Sequence, residues 1–190
     1  GGRLGYTRTT FKQLNDLSDG LARGMGTLGI GMGTRTALCV RPGVEFFAVT
    51  FALFKMGAIP VLIDPGIGLR NFGRCLTQAK PGAFVGIPIV HLLRRALGWA
   101  KGTNRVNIST GAFGGTSLGK VLKLGREGKD EPAVVKNGNE AAILFTSGST
   151  GPAKGVMYTH ENFNGQIEAL KREYGIEPGE LDLATFPLFG

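Results

Sequence analysis

Along this chain, short apolar runs alternate with longer stretches whose apolar residues recur every three or four positions. A run of four to six apolar residues bounded by glycine or proline reads as a buried strand. Apolar residues at the 3.6 period read as a helix packed along one face. Strand, helix, strand, helix leaves few solutions, because parallel strands need a crossover and a helix is the usual one. Phe11, Leu14, Leu17, Leu21 and Met25 mark a first helix, with Thr9 or Thr10 placed to cap it. A strand over Arg35–Val40, a strongly apolar helix over Val44–Met56 and a strand over Ile59–Ile63 follow. Asp64, Pro65 and Gly66 turn into a helix near Leu69–Ala79. Ala83–Ile87 is the next strand, and Pro88 opens a helix holding His91, Leu92, Leu93 and Trp99. Val106 and Ile108 mark a short strand. Ala141–Phe145 and Gly155–Thr159 are strands, Glu161–Tyr174 a helix, and Leu181–Thr185 a last strand. The predicted class is α/β, with mainly parallel sheets and flanking helices.

Glycine is 32 of 190 residues, well above the usual share of about 7%. With no Gly-X-Y period, this points to many tight turns between elements. Gly29, Gly31 and Gly33 imitate a dinucleotide loop, but they follow a helix and precede a strand, the reverse of what that loop requires. Cys39 and Cys75 have no metal or redox spacing. Cys39, within the apolar strand, reads as a buried free thiol, and a reducing, cytoplasmic setting fits. No Cys, His or acid cluster has ligand spacing, so no metal site is predicted.

Net charge is +8 and unevenly placed: residues 1–126 hold 17 Lys/Arg against 4 Asp/Glu, and residues 127–190 hold 5 against 10. A basic half attracts anionic lipid, nucleic acid or a nucleotide, or faces an acidic partner domain. The basic residues are dispersed and lack interleaved aromatics, which favours the partner domain and argues against nucleic acid. Residues 126–140 are polar and broken by Pro132 and Gly138. They divide the chain into a first α/β subdomain over 1–125, a linker over 126–140, and the start of a second subdomain over 141–190. The apolar end, Phe186 to Phe189, predicts that the piece is truncated.

The most informative stretch is 141–156, AAILFTSGSTGPAKGV. A buried strand ends abruptly in Thr146, Ser147, Gly148, Ser149, Thr150 and Gly151, and Lys154 follows. Glycines let consecutive N–H groups converge on a ligand, the hydroxyls donate to anionic oxygens, and the lysine balances charge. This predicts a polyphosphate cradle. It is not the G-x-x-x-x-G-K-[ST] loop, whose second glycine would fall at Ala153. A closer imitation lies at Gly114–Lys120, but Val121 stands where Ser or Thr would meet Mg²⁺, and the preceding strand is poor. A surface turn is the expectation there. His91, beside Arg94 and Arg95, reads as solvated or half-buried. His160, in T-H-x-N, reads as a capping and packing residue.

Thr146 to Gly155 resemble the phosphate-loop motif T-S-G-[ST]-T-G-x-x-K-G of the adenylate-forming superfamily at every fixed position. Leu53–Gly66, LFKMGAIPVLIDPG, resembles that superfamily's Lys-x-Gly-[Ala/Gly] helix end running into a strand. Tyr6–Leu38 resembles its opening segment, and Thr185–Phe189 the start of its acyl-pocket motif, with Phe186 and Phe189 as pocket aromatics. The resemblance spans nearly the whole chain and implies the partial N-terminal region of a longer enzyme. It also implies an ATP-dependent acid–AMP ligase that uses Mg²⁺ and activates a carboxylic acid as acyl-adenylate. Transfer to a thiol such as coenzyme A, or closure of a β-lactone, would follow. Residues 146–151 and Lys154 would hold the β- and γ-phosphates, and the catalytic groups would lie beyond residue 190. Within the superfamily, RPGVEFFAVTFALFKMGAIPVLIDPGIG and GIPIVHLLRRALGW most resemble fatty-acyl-adenylating members, including the olefin-biosynthesis branch. Two other readings stay open: a nucleoside-triphosphatase using Gly114–Lys120, and a non-catalytic basic module in peripheral contact with a membrane.

Overall fold

The computed structural model describes residues 8–128, 134–146 and 153–180. The strands are β1 (Arg35–Cys39), β2 (Ile59–Ile63), β3 (Ala83–Gly86), β4 (Val106–Ser109), β5 (Thr116–Ser117), β6 (Glu140–Thr146) and β7 (Lys154–Thr159). The α-helices are α1 (Phe11–Thr27), α2 (Val44–Lys55), α3 (Leu69–Ala79), α4 (Pro88–Leu97), α5 (Leu118–Glu127) and α6 (His160–Tyr174). The strands form one sheet in the order β5-β4-β3-β1-β2-β6-β7. Every pairing is parallel except β6 with β7.

Side chains alternate across the sheet, as the pleat requires. Leu38, Val85 and Ile108 join Leu21, Met25, Val49, Leu53 and Val121 in one core under α1, α2 and α5. Ala37, Phe84, Val61, Ile143 and Phe145 join Phe72, Leu76 and Trp99 in a second core on the α3 and α4 side. Central strands buried on both faces explain why β1, β2 and β3 are near-continuous apolar runs.

Local signals set the element ends. Thr10 caps α1: its hydroxyl accepts from the Gln13 amide at 3.1 Å, and the Gln13 side chain accepts from the Thr10 amide at 2.8 Å. β2 begins and ends where the apolar run does. α4 opens on Pro88 and stops at Gly98, which takes a left-handed φ of 67°.

Four expectations need correction. Trp99 lies beyond α4, because Gly98 ends the helix first. From there its ring packs on Phe72 of α3, with centroids 5.1 Å apart. Gly114–Val121 is not a surface turn. Thr116 and Ser117 pair with β4 as β5, and α5 begins at Leu118 with Ser117 as its cap. His91 is neither solvated nor half-buried: it is 1% exposed, and its Nε2 lies 2.9 Å from the Ile108 carbonyl. Cys39 as a whole residue is half-buried although its thiol is desolvated, and Cys75 is the more enclosed residue.

Glycine also works inside helices, not only between them. A Cβ at Gly24 would overlap the Val121 carbonyl, and one at Gly125 would overlap the Gly20 carbonyl. α1 and α5 therefore touch backbone to backbone, and Arg23 Nε donates to the Gly125 carbonyl at 2.9 Å. The strand read at Leu181–Thr185 lies outside the described residues.

Candidate functional site

Adjacent strands carry the two strongest sequence motifs. β2 pairs with β6 in the register Val61–Ile143, Leu62–Leu144 and Ile63–Phe145. Asp64-Pro65-Gly66 after β2 and the Thr146 segment after β6 therefore leave the sheet side by side, at its carboxyl edge. Asp64 stiffens its turn by accepting from the Gly66 amide at 2.7 Å.

Of the residues expected to cradle phosphate, Thr146 is the last of β6 and Lys154 the first of β7, and the two are cross-strand partners. Lys154 is exposed. Ser147, Gly148, Ser149, Thr150 and Gly151 lie outside the described residues, as do Phe186 and Phe189. The paired ends of the segment stand one strand spacing apart, about 5 Å. The sheet ladder fixes the backbone of Lys154 opposite the residue that opens the segment.

Gly155, the motif's last fixed residue, has a steric reason that the sequence did not reveal. It sits opposite Phe145, and a Cβ there would come within 2.9 Å of that ring. The ring lies over Gly155 and fills the space a side chain would need. The motif lysine upstream, Lys55, also has a structural task. Its Nζ reaches Asp19 Oδ1 at 2.6 Å, Asn15 Oδ1 at 2.8 Å and Ser18 Oγ at 2.8 Å, tying α2 to α1. Gly57 follows with φ 67°, and a side chain there would overlap Met32.

In T-H-x-N, Thr159 is the cap of α6 and Asn162 completes a capping box with it. His160 contributes packing, its ring edge-on to Phe54 with centroids 5.6 Å apart. Burial holds its ring below the usual histidine range, which favours the neutral form. His91 is likewise lowered, by burial first; Arg94 adds to this, while the Ile108 carbonyl opposes it. Burial pushes the Cys39 thiol up to about 12, so it is no nucleophile at neutral pH.

Gly114–Lys120 has the wrong build for a phosphate loop. A side chain at Gly114 would overlap His91, one at Gly115 would overlap the Asn107 carbonyl, and β5 occupies the middle of the segment. The two glycines that open the segment pack against protein and leave no cradle for a ligand there, which argues against the nucleoside-triphosphatase reading. A mostly apolar cavity of about 200 Å³ lies at the carboxyl ends of β1, β2 and β3, lined in part by Cys39, Arg41, Ile63, Pro65, Phe72 and Ile87. β1 has β2 on one side and β3 on the other, so this is the sheet's switch point, where α/β folds commonly bind ligands.

Residues 3–189 match the family model described as AMP-binding enzyme, and the chain belongs to that family. It is 47% identical over 182 residues to the olefin β-lactone synthetase of Stenotrophomonas maltophilia, a match covering 94% of this chain and 33% of that protein. The olefin β-lactone synthetase of Xanthomonas campestris is 46% identical over 182 residues, with 95% and 33% covered. A putative long-chain-fatty-acid CoA ligase from Rhodopseudomonas palustris shares the fold at a TM-score of 0.82 and 16% identity, over 96% of this chain and 46% of that one. The chain thus spans about a third of the length of the curated relatives it matches.

Proposed function

We propose that the intact protein is an ATP-dependent acid–AMP ligase, and that the described sheet presents its pyrophosphate-binding segment. One observation carries the reading: the signature T-S-G-S-T-G-P-A-K-G joins two paired strands at the same sheet edge as the second family motif. A carboxylate oxygen attacks the α-phosphate of ATP, the bond from the α-phosphorus to the bridging oxygen breaks, and pyrophosphate leaves with the electron pair. Thr146–Gly151 and Lys154 hold the β- and γ-phosphates, orient the leaving group and stabilise its charge. Among the described residues no group of three or more His, Cys, Asp or Glu is placed to hold a metal. The Mg²⁺ that accompanies ATP is therefore assigned no protein ligand here, and no step is drawn through it.

The likeness to two olefin β-lactone synthetases supports a β-hydroxy fatty acid as substrate. Its hydroxyl attacks the acyl carbonyl, AMP leaves, and the hydroxyl proton passes to solvent. The second reading, transfer to coenzyme A, rests on a likeness of 28% identity to a mycobacterial long-chain-fatty-acid–CoA ligase. A cytoplasmic setting belongs to either reading.

In the full-length protein, Lys154→Ala and Thr150→Val should each weaken acid-dependent ATP–pyrophosphate exchange. Losing a charge-assisted phosphate contact costs about 1.5–3 kcal/mol. Lys120→Ala should leave exchange unchanged. The reverse pattern would refute the site assignment. β-Lactone release without coenzyme A separates the two product readings.

A further inference from the structure

Residues 65–126 contain ten lysines and arginines and not one aspartate or glutamate. Dispersed along the sequence, these cations suggest little; the fold gathers many of them. α3 and α4 pack on the same core, and Trp99, just after α4, contacts Phe72 of α3. Arg70, Arg74 and Lys80 stand exposed on or next to α3, and Arg95 and Lys101 on or just after α4. No carboxylate from this stretch neutralises them.

The outward face of α4 is apolar. Ile89, Leu92 and Ala96 follow one helical stripe, and Ile89 and Leu92 are 50% and 55% exposed. The Gly111–Gly114 segment packs on α4 at Pro88 and His91, and Phe113 within it is 59% exposed. Leu97 closes the helix at 51%. Arg94 folds inward, its guanidinium carbon 5.7 Å from the centre of the Phe84 ring. Next to Trp99, an open polar hollow of about 520 Å³ is lined by Arg94, Arg95 and Lys101.

We propose that the α4 face, with Phe113 and the cations of α3 and α4, docks on an anionic lipid surface. An apolar stripe rimmed by Lys and Arg is what an interfacial helix presents to a charged bilayer. Charge decides the occupant. The exposed apolar residues of α6, Ile167, Leu170 and Tyr174, sit among Glu161, Glu168 and Glu173 as well as Lys171 and Arg172, a mixed setting without the cationic excess of α3 and α4. Nucleic acid does not need Ile89, Leu92 or Leu97. No helix among the described residues is long and apolar enough to cross a membrane, so the contact is peripheral.

The test is cosedimentation of the full chain carrying this sequence with phosphatidylglycerol–phosphatidylcholine vesicles and with phosphatidylcholine alone. The expected result is binding to the anionic vesicles only, falling as salt is raised. Ile89→Ser with Leu92→Ser should reduce it about ten-fold or more. Arg95→Gln should reduce it about five-fold. Lys123→Gln, on the other side of the sheet, should not change it. Lys154→Ala should bind vesicles like the wild type, because the proposal does not depend on adenylation. Equal binding to neutral vesicles, no binding at low salt, or full binding by the Ile89/Leu92 double variant would overturn it. So would preference for an RNA or DNA duplex over vesicles. A double variant that melts several degrees lower with vesicle binding unchanged would show that protein covers this face, and would also overturn it.

Discussion

The part built from β1–β5 and α1–α5 and the part built from β6, β7 and α6 obtain their order from different sources. The first has a core on each face of its strands, with Leu21, Met25, Leu53, Phe84 and Leu76 almost wholly enclosed. In the second, β6 is buried, yet no described residue of β7 or α6 is. β6 takes its place from β2, and α6 depends on its Thr159–Asn162 cap and on contacts of His160 and Phe163 with Phe54. The proposed phosphate segment therefore has one anchor on a buried strand that pairs with the densely packed part and the other on a strand open to solvent. Rigidity and access to a ligand are supplied by different strands of one hairpin.

Core truncation should separate the two parts most. Phe84→Ala should cost about 3–5 kcal/mol in denaturant unfolding, and an equal loss from Leu170→Ala would erase the distinction. Next, Gly125→Ala should force α1 and α5 apart at about 1–3 kcal/mol; a neutral result would show that the helices can slide. Thr159→Ala removes a cap and should cost about 1 kcal/mol. Faster amide exchange in α6, with α1 unaffected, would localise that loss.

The histidines probe the comparison by pH, since there is one in each part. Burial holds both below 6.5 in the folded chain. A depressed folded value means each contribution is complete above about pH 6.5 and is lost as pH falls from there through the folded value. Stability should therefore drop between pH 7 and 5. His91→Gln should flatten that slope more than His160→Gln, because His91 is the more enclosed; the opposite order would contradict the packing described. Leu170→Ala, the smallest effect, should change stability by less than about 0.5 kcal/mol.

Much of the fold was legible because it is local. The Thr10 cap, the bounds of β2 and the start of α4 at Pro88 all follow from neighbouring residues. β5 was not legible, since two residues become a strand only by pairing with Ile108 and Ser109. His91 was misread for the same kind of reason: its partner carbonyl is 17 residues away. In the candidate site, the signature announced its lysine and hydroxyls, but the need for Gly155 emerged only once Phe145 stood opposite. Arg95 and Ile89 read as ordinary surface residues until the fold put them on one helix of a stretch, residues 65–126, that holds no acid.

The β2–β6 pairing has a consequence for the order in which the chain is made. Ile63 leaves the ribosome 77 residues before Glu140. At about 5–20 residues per second, roughly 4–15 s pass before the strand that covers that edge exists. For that interval Ile59–Ile63 offers an unpaired, apolar edge to any neighbouring nascent chain. Pausing translation between these points should therefore raise the aggregated fraction, whereas a pause once both β6 and β7 have emerged should not.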